Sequence, residues 1–411
     1  MFNNIPLFTE KKNPVTERCY SDPTTRLRQK YDPYYHCVDS ADGVTLKVDG
    51  REMTMMSSNE YLGLSRHPKV IEAAKKALDE WGSSACGSRL ANGTRPYHVA
   101  LEEELAAFLG KEACHITAAG YLACMSSISS LAHRGDALIV DKSIHSALWD
   151  GVNLSAATVE RFAHEDMNSL KALLQELDPA QPKIIVVDGI YSMEGHIASV
   201  PELIGLAKEY DAFTVVDDAH GFGILGENGR GTADHHGLTN DVDMIVGSFS
   251  KSLSSVGGFI AADKSVIEYL RTTSRQIIFS AGIAPSTVAA AHAALKVIQE
   301  EPEHKEKLWE NTRYLQNILD EVGADYWDSP TPAIPIVIGN KEKCFRMWNA
   351  LWKEGFFTVM SVSPGVPVGK DLIRCAVSSL HTKDQLDRFG EALKVAMKKC
   401  GISPKLKAVA A

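Results

Sequence analysis

The feature that most constrains the fold is a regular alternation of short apolar segments with helix-like segments between residues 114 and 262. We interpret the apolar segments as buried strands. Strands that alternate with helices in this way form a mainly parallel sheet that is covered by helices on both faces. The sequence therefore predicts an α/β fold. The predicted strands are residues 114–117, 137–140, 183–187, 213–216, 244–246 and 259–262.

The segments on either side of this region predict two further units. Residues 1–55 are predicted to form an N-terminal arm, irregular as far as residue 43 and then folded into a surface hairpin around Asp49-Gly50. Residues 56–298 are predicted to form the large α/β domain. A boundary is expected at the acidic, proline-containing residues 300–303. Residues 299–411 then predict a C-terminal α+β domain, in the order helix, strand, helix, two strands, helix.

Charge and composition exclude several classes of function. The 411 residues carry a formal net charge of −9, so the chain has no basic surface suited to a nucleic acid. The eight cysteines form no C-x-x-C pair, and we predict no metal site. No apolar run has the length of a membrane span, and the N-terminus lacks the apolar stretch of a signal peptide. We expect a cytoplasmic protein with reduced cysteines and no transmembrane segment.

Two strand ends carry residues suited to one kind of cofactor chemistry. A single lysine, Lys251, follows the predicted strand at 244–246, and Asp217 and His220 follow the strand at 213–216. Ligands of such sheets bind outside the carboxyl ends of the strands, so these side chains are expected to lie close together. A buried lysine can attack a carbonyl, and a carboxylate can keep a pyridine nitrogen protonated. The pair is the protein's part of pyridoxal phosphate chemistry.

Further polar residues occur at strand ends of the same region. Gly120 opens a helix directly after a strand, where free N–H groups can bind an anion, although an ordinary turn has the same pattern. Ser248 and Ser250 can add hydroxyl donors to the same anion. His145 follows the next strand, where its ring can stack on a cofactor; a histidine there is more often a polar residue with satisfied hydrogen bonds. Ser192 can reach the same cleft.

A possible dinucleotide fingerprint is rejected. Residues 221–226 have the spacing G-x-G-x-x-G. The match begins four residues after the predicted strand, and loop residues follow it in place of the helix that the fingerprint must open. The sequence does not predict a Rossmann-type site.

Several motifs occur together in one order and spacing. They are residues 59–64, 87–94 with His98, 217–220, 248–251, and 373–375 with 381–382. With this set, the chain resembles the α-oxoamine synthases from about residue 25 to residue 399. These pyridoxal phosphate enzymes condense an amino acid with an acyl-CoA and release CO2. The resemblance implies a fold-type I transferase of the aspartate aminotransferase type. Residues 92–94, 190–195 and 247–253 are most similar to members that use L-serine and a long-chain acyl-CoA.

The resemblance also implies a role for each candidate residue. Lys251 would form the Schiff base and later transfer protons, and Asp217 would pair with the pyridinium nitrogen. His145 would stack on the ring, while His220 and Ser192 would bond its phenolic oxygen. Phe279-Ser280-Ala281 would reach the cofactor phosphate of a partner subunit, which implies a homodimer with shared active sites. The resemblance places five residues near the cofactor phosphate: Gly120, Tyr121, Ser248, Ser250 and Ser280. It makes Arg374 the clamp for the substrate carboxylate and Asn59 a substrate contact.

The resemblance leaves alternatives open. Sister activities are 8-amino-7-oxononanoate synthase, 5-aminolevulinate synthase, 2-amino-3-ketobutyrate ligase, or a secondary-metabolite enzyme that takes an acyl carrier protein as donor. A non-catalytic partner subunit is a further alternative, but it would not need Lys251, Asp217 and His145 together. The chain departs from the family pattern at Asp218, where glutamate is usual, at Ser248, where threonine is commoner, and in residues 362–367.

Overall fold

The computed structural model describes residues 13–21 and 23–405 of the chain. Within these residues the strands form sheets of seven, four and three strands. The strands are β1 (Ser40–Asp42), β2 (Thr45–Val48), β3 (Arg51–Met55), β4 (Ala113–Thr117), β5 (Ala137–Asp141), β6 (Thr158–Phe162), β7 (Lys183–Asp188), β8 (Ala212–Asp217), β9 (Met244–Ser248), β10 (Gly258–Ala262), β11 (Ala333–Val337), β12 (Phe356–Phe357), β13 (Val359–Ser361) and β14 (Leu372–Ala376).

The seven-stranded sheet has the order β4-β10-β9-β8-β7-β5-β6. Its strands are parallel except β10, which runs antiparallel to both of its neighbours. Every residue of β5, β7, β9 and β10 is buried, because helices cover both faces of the sheet. All six strands predicted from the sequence are present, and the predicted mainly parallel α/β fold is confirmed.

Helices precede or follow most strands of this sheet. One π-helical turn, Arg89–Gly93, separates α3 from α4. The α-helices are α1 (Pro14–Ser21), α2 (Pro23–Tyr31), α3 (Pro68–Trp81), α4 (Pro96–Leu109), α5 (Gly120–Leu131), α6 (Ser146–Leu154), α7 (Met167–Glu176), α8 (Val200–Glu209), α9 (Thr232–His235), α10 (Lys264–Thr273), α11 (Arg275–Ile278), α12 (Pro285–Glu300), α13 (Glu303–Val322), α14 (Lys341–Lys353) and α15 (Lys383–Cys400).

The N-terminal segment differs from the sequence prediction. Residues 14–31, which we expected to be irregular, are mostly helical, with Pro14 and Pro23 as the first residues of α1 and α2. Proline is favoured at the first helical position because its missing N–H would have no intrahelical partner there. The prediction for residues 1–12 and 22 lies outside the described residues. The predicted hairpin is present as β2 and β3, and it extends into a sheet with β1 and β12.

The C-terminal elements occur in the predicted order. Strands β11, β14 and β13 form an antiparallel sheet. Helix α14 packs against β13 and β14, and α15 packs against α14 and α13. The expected boundary at residues 300–303 coincides with the break between α12 and α13, where Pro302 cannot continue a helix. The division into domains stays a prediction. No helix among the described residues is long and apolar enough to cross a membrane.

Candidate active site

The carboxyl ends of β7, β8 and β9 open into a cavity of about 550 Å³. This volume lies within the range of small-molecule sites in proteins. Side chains from the C-terminal sheet and from the segment after β3 close its other side. The cavity is lined by every residue predicted for the site except Ser280: Asn59, Gly120, Tyr121, His145, Ser192, Asp217, His220, Ser248, Ser250, Lys251 and Arg374.

Lys251 lies in the loop that joins β9 to the antiparallel strand β10. Hydrogen bonds from Phe249 N to Gly257 O (2.9 Å) and from Ser255 N to Phe249 O (2.9 Å) close this loop. Gly257 has φ +143°, and a Cβ there would lie 2.5 Å from the Phe249 ring, so only glycine fits. The Lys251 amine makes no hydrogen bond or ion pair with a described residue. Burial lowers the pKa of Lys251 from its ordinary value, which favours a reactive free amine.

Asp217 ends β8 and is held by two donors. Its carboxylate accepts hydrogen bonds from Cys124 Sγ (3.1 Å) and from the backbone N–H of Ala219 (3.0 Å). Burial and the nearby Asp217 raise the pKa of the Cys124 thiol well above its usual range, so the thiol keeps the proton that it donates. Asp188, in register with Asp217 on β7, also lines the cavity. Burial, together with Asp217, holds the pKa of Asp188 well above its ordinary value.

A chain of hydrogen bonds runs from Arg374 through Tyr61 to His220. Arg374 Nη2 donates to Tyr61 Oη (3.3 Å), and Tyr61 Oη lies 2.8 Å from His220 Nδ1. Burial, followed by the charges of Lys251 and Arg374, lowers the pKa of His220 well below its ordinary value, so the ring is neutral. The buried tyrosine proton finds an acceptor only if His220 Nδ1 carries none. The proton of His220 therefore lies on Nε2.

Arg374 is a buried cation whose side chain is held by neutral groups. It is 6% exposed and lies on β14. Its Nε donates to Ser192 O (2.7 Å) and its Nη1 donates to Asn59 Oδ1 (2.8 Å). Among the described residues, no carboxylate forms an ion pair with it. A buried guanidinium without an acid is costly, because a buried charge is normally paired. The arrangement suits an anionic group that enters the cavity.

The turn between β4 and α5 can hold a second anion. Ala119, the cap residue of α5, offers no side-chain hydrogen bond to the first turn of the helix. Ser248 Oγ and Ser250 Oγ lie 2.7 Å apart beside this turn. A Cβ on Gly120 would lie 2.6 Å from Ser248 Oγ, so a glycine is needed for the close approach. Free N–H groups and hydroxyls converging at a helix N-terminus are typical of phosphate sites.

His145 and Tyr121 lie at the rim of the cavity. His145 caps α6, and its backbone N–H donates to Asp188 Oδ1 (3.1 Å). Its Nδ1 accepts from the N–H of Ala147 (3.3 Å), which again leaves the proton of a neutral ring on Nε2. The rings of His145 and Tyr121 meet edge to face, with centroids 6.5 Å apart. Tyr121 Oη also donates to Asp150.

Asp218 has a different environment from Asp217. Its two oxygens accept from Thr232 N (2.7 Å) and Thr232 Oγ1 (2.6 Å), and it does not line the cavity. Burial raises the pKa of Asp218 to about 6. The glycine-rich segment 221–226 is a series of turns that begins beside this carboxyl at Gly221, and it opens no helix. The rejection of a dinucleotide fingerprint agrees with this geometry.

Ser280 lies apart from the cavity. It lines a separate small crevice with Arg89, His115 and Gln276. Phe279 beside it is 81% exposed. A β-bridge joins Ala281 to Ser88, so the segment around Ser280 lies next to the π-helical turn Arg89–Gly93. Within one chain, the structure does not bring Ser280 to the other site residues.

Three residues of the cavity network were not assigned a role from the sequence. Tyr61 stood inside a recognised motif, and Asp188 stood at a predicted strand end. Cys124 was predicted only to be a reduced cysteine like the others, because nothing in its surroundings in the sequence indicates contact with Asp217. The hydrogen bonds that place Tyr61 and Cys124 span 159 and 93 residues of chain. Contacts at such separations are not visible in local patterns.

The donor set fits pyridoxal phosphate. A free amine at Lys251 matches the aldehyde carbon, a buried carboxylate at Asp217 matches the ring nitrogen, and the turn at Gly120 with two serine hydroxyls matches the phosphate. The N–H on His220 Nε2 provides a donor for the phenolic oxygen. Each group would meet a partner of the complementary charge or hydrogen-bonding type.

Comparison with known proteins agrees with this fit. The family model "Aminotransferase class I and II" matches residues 51–393. A serine palmitoyltransferase of Sphingobacterium spiritivorum is 43% identical over 360 residues, which cover 88% of this chain and 90% of that protein. An 8-amino-7-oxononanoate synthase of Bacillus velezensis is 39% identical over 88% of this chain and 92% of that protein. A solved structure described as SPT with its PLP internal aldimine superposes with a TM-score of 0.91, at 30% identity, covering 95% of this chain and 100% of that one.

Proposed function

Since the chain belongs to the class I and II aminotransferase family, we propose that it is a pyridoxal phosphate-dependent acyltransferase. It condenses an L-amino acid, for which L-serine is the best candidate, with a long-chain acyl-CoA. The products are an aminoketone of the 3-ketodihydrosphingosine type, CoA and CO2. The observation that carries the proposal is a single cavity in which the free amine of Lys251, the buried carboxylate of Asp217 and the unpaired guanidinium of Arg374 meet.

The residues that would hold the cofactor have separate tasks. When bound, pyridoxal phosphate supplies a carbonyl that reacts with amines and a ring that delocalises negative charge from an adjacent carbon. Asp217 keeps the ring nitrogen positive, and Cys124 and Ala219 hold its carboxylate in place. His220 would donate a hydrogen bond from Nε2–H to the phenolic oxygen, with Ser192 nearby, and His145 would cover the ring. The phosphate would be held by Gly120, Tyr121, Ser248 and Ser250.

Lys251 and Arg374 act on the amino acid. The Lys251 amine has a lowered pKa and no hydrogen-bond partner within the described part of the chain, so at neutral pH it can take and return the proton of the substrate α-carbon. Arg374 binds the substrate carboxylate and so fixes its orientation, while Asn59 holds the guanidinium in place and borders the substrate. The orientation of the carboxylate would decide which bond at the α-carbon is activated when the cofactor is bound. Arg374 therefore contributes to the choice of reaction as well as to affinity.

Apolar residues at the mouth of the cavity support an acyl donor. Val256 and Val359 line the cavity and are 62% and 41% exposed, and Met193 lies with them. An exposed apolar rim next to a polar centre suits a ligand with a hydrocarbon chain. An acyl-CoA is the proposed donor, and an acyl carrier protein is the alternative carrier of the same chain.

We propose a homodimer whose two active sites are shared. Ser280 lies outside the cavity of its own chain, beside the exposed side chain of Phe279. Leu90, in the neighbouring π-helical turn, is also 56% exposed. A partner subunit that covers this apolar surface would receive Ser280 at the phosphate end of its cavity. The enzyme is proposed to act in the cytoplasm, where thiols such as that of Cys124 stay reduced.

Absorbance and product analysis test the proposal. The purified protein should be yellow, should respond spectrally to L-serine, and should release CO2 and a ketone from carboxyl-labelled serine with long-chain acyl-CoA. A sister activity would be indicated if label is released with L-alanine, or with glycine and succinyl-CoA, but not with serine and palmitoyl-CoA. A sister activity is the second candidate because some relatives are named 8-amino-7-oxononanoate synthase. A colourless protein that does not bind pyridoxal phosphate would indicate a non-catalytic subunit.

A further inference from the structure

A group of two histidines and one glutamate lies outside the active-site cavity. His67 precedes α3, Glu301 follows the last residue of α12, and His304 lies in the first turn of α13. Glu301 Oε2 is 3.2 Å from His67 Nε2 and 3.4 Å from His304 Nε2. The three side chains are 15%, 22% and 22% exposed, so they are mostly shielded but can be reached from solvent.

These distances match the ligand positions of a tetrahedral metal site. For metal–ligand bonds of about 2.0–2.1 Å, the edges of a tetrahedron measure about 3.3 Å. The three donor atoms also lie within 4.8 Å of one another, so a small movement of the His67 or His304 side chain brings them around one ion. Two imidazoles and one carboxylate with an open fourth position are a common donor set for Zn²⁺. Among the described residues, no other three histidine, cysteine, aspartate or glutamate side chains are placed to hold one metal ion.

The surrounding charges leave one carboxylate oxygen available. Lys69 Nζ donates to Glu301 Oε1 (2.8 Å) and to Glu300 Oε2 (3.1 Å), while Oε2 of Glu301 faces the two histidines. Two carboxylates and one ammonium give the group a net negative charge, which favours a divalent cation.

The backbone around the group is fixed independently of any metal. His67 N donates to Leu64 O (3.0 Å), and His67 O accepts from the first residues of α3. Glu301 N donates to Val297 O (2.8 Å), and Pro302 sets the bend into α13. Without metal, the Glu301 carboxylate accepts a hydrogen bond from His67 Nε2, so the proton of a neutral ring lies there. Metal binding at Nε2 would leave that proton on Nδ1, which is buried without a hydrogen-bond partner among the described residues. A histidine that binds a metal usually donates a hydrogen bond from its other ring nitrogen, and without that bond it binds the metal more weakly. We therefore expect a micromolar rather than a tighter affinity for the metal.

We propose that His67, Glu301 and His304 form a binding site for a divalent transition metal of the Zn²⁺ type. The ion joins the beginning of α3 to the bend between α12 and α13. This bend coincides with the predicted boundary between the large and the C-terminal domain, and α12 packs along α3. Water would fill the fourth position. Bound metal would stabilise the bend, and the site lies outside the cavity that holds Lys251.

Cobalt and zinc titrations of the full-length protein, loaded with pyridoxal phosphate and free of any histidine tag, test the proposal. Wild type should bind one Co²⁺ per chain, with the visible absorption bands of a tetrahedral site, and Zn²⁺ should displace it. His304→Ala and Glu301→Gln should each weaken binding at least about tenfold, because losing a ligand costs no less than losing an outer contact. Zn²⁺ should raise the thermal unfolding midpoint of wild type but not that of His304→Ala.

A matched control is available on α12. His292 is 22% exposed and hydrogen-bonds Glu104, but no second histidine among the described residues completes a ligand set there. His292→Ala should bind Co²⁺ like wild type, which separates the proposed site from a general effect of losing a histidine–glutamate pair. Circular dichroism checks that each variant is folded. Equal affinity in wild type and His304→Ala, or no saturable binding up to about 1 mM metal, would overturn the proposal.

Discussion

Replacing Arg374 with alanine should weaken binding of the amino acid far more than binding of the corresponding amine. A guanidinium has five N–H donors. Three of them are used within the protein, on Ser192 O, Asn59 Oδ1 and Tyr61 Oη. One donor on each terminal nitrogen is left, which is the number that two carboxylate oxygens can accept in a bidentate pair.

The magnitude follows from these two remaining donors. A hydrogen bond to a charged group contributes about 1.5–3 kcal/mol. Because about 1.4 kcal/mol changes an equilibrium constant tenfold, loss of one such bond raises the Kd by about 10- to 150-fold. Loss of both hydrogen bonds costs less than twice this free energy, since water partly replaces the guanidinium. We therefore expect the Kd for L-serine to rise at least about tenfold.

Ethanolamine, which is serine without its carboxylate, serves as the control ligand. In Arg374→Ala the carbonyl of Ser192 and the amide of Asn59 lose their partner, and this disturbance affects every ligand. The ratio of the Kd for serine to that for ethanolamine removes the shared effect, as in a double-mutant cycle. Both constants are measured from the absorbance change of the cofactor-loaded protein. Equal weakening for the two ligands would mean that Arg374 supports the cavity and does not bind the carboxylate.

Three further variants test the other proposed roles. Lys251→Ala should abolish turnover and the lysine-linked chromophore that borohydride reduces, and a variant that keeps either one points to another lysine. Asp217→Asn should bind cofactor yet lose several kcal/mol of transition-state stabilisation in a steady-state assay; activity within about tenfold of wild type, ~1.4 kcal/mol, contradicts the role. Mixing Lys251→Ala with a chain changed at Ser280 and Ala281 should restore some activity in heterodimers. No recovery, with heterodimers present, indicates self-contained sites.

The central strands could be predicted from the sequence because they are covered on both faces. A strand such as β5 or β7 is buried along its whole length and appears as an uninterrupted apolar run. The edge strand β6 was missed, since Thr158 and Arg161 are exposed and interrupt the apolar pattern. Helices α1 and α2 were missed for a different reason: their prolines were interpreted as signs of irregular chain, whereas both stand at the first helical position.

Those residues of the site that lie at strand ends could be predicted from the sequence. Parallel strands end at one edge of the sheet, so Asp217 and Lys251 could be placed together from the chain order alone. Their hydrogen-bond partners could not. Tyr61 reaches His220 because the backbone N–H of Ser379, just after β14, donates to Tyr61 O (2.8 Å). That contact joins segments more than 300 residues apart, and only the tertiary fold specifies it.

The departures from the family pattern at Asp218 and in residues 362–367 differ in their structural consequences. Successive residues of an extended chain point to opposite sides, so Asp217 faces the cavity while Asp218 faces Thr232. The aspartate at 218 is therefore used to fix a neighbouring loop and does not touch the cavity. Residues 362–367 follow directly after Ser361, which lines the cavity with Val359. If the acyl donor differs from a long-chain acyl-CoA, we expect the cause in residues 362–367, since they continue directly from the cavity-lining residues Val359 and Ser361 and do not include Arg374 or Asn59, which are proposed to contact the amino acid.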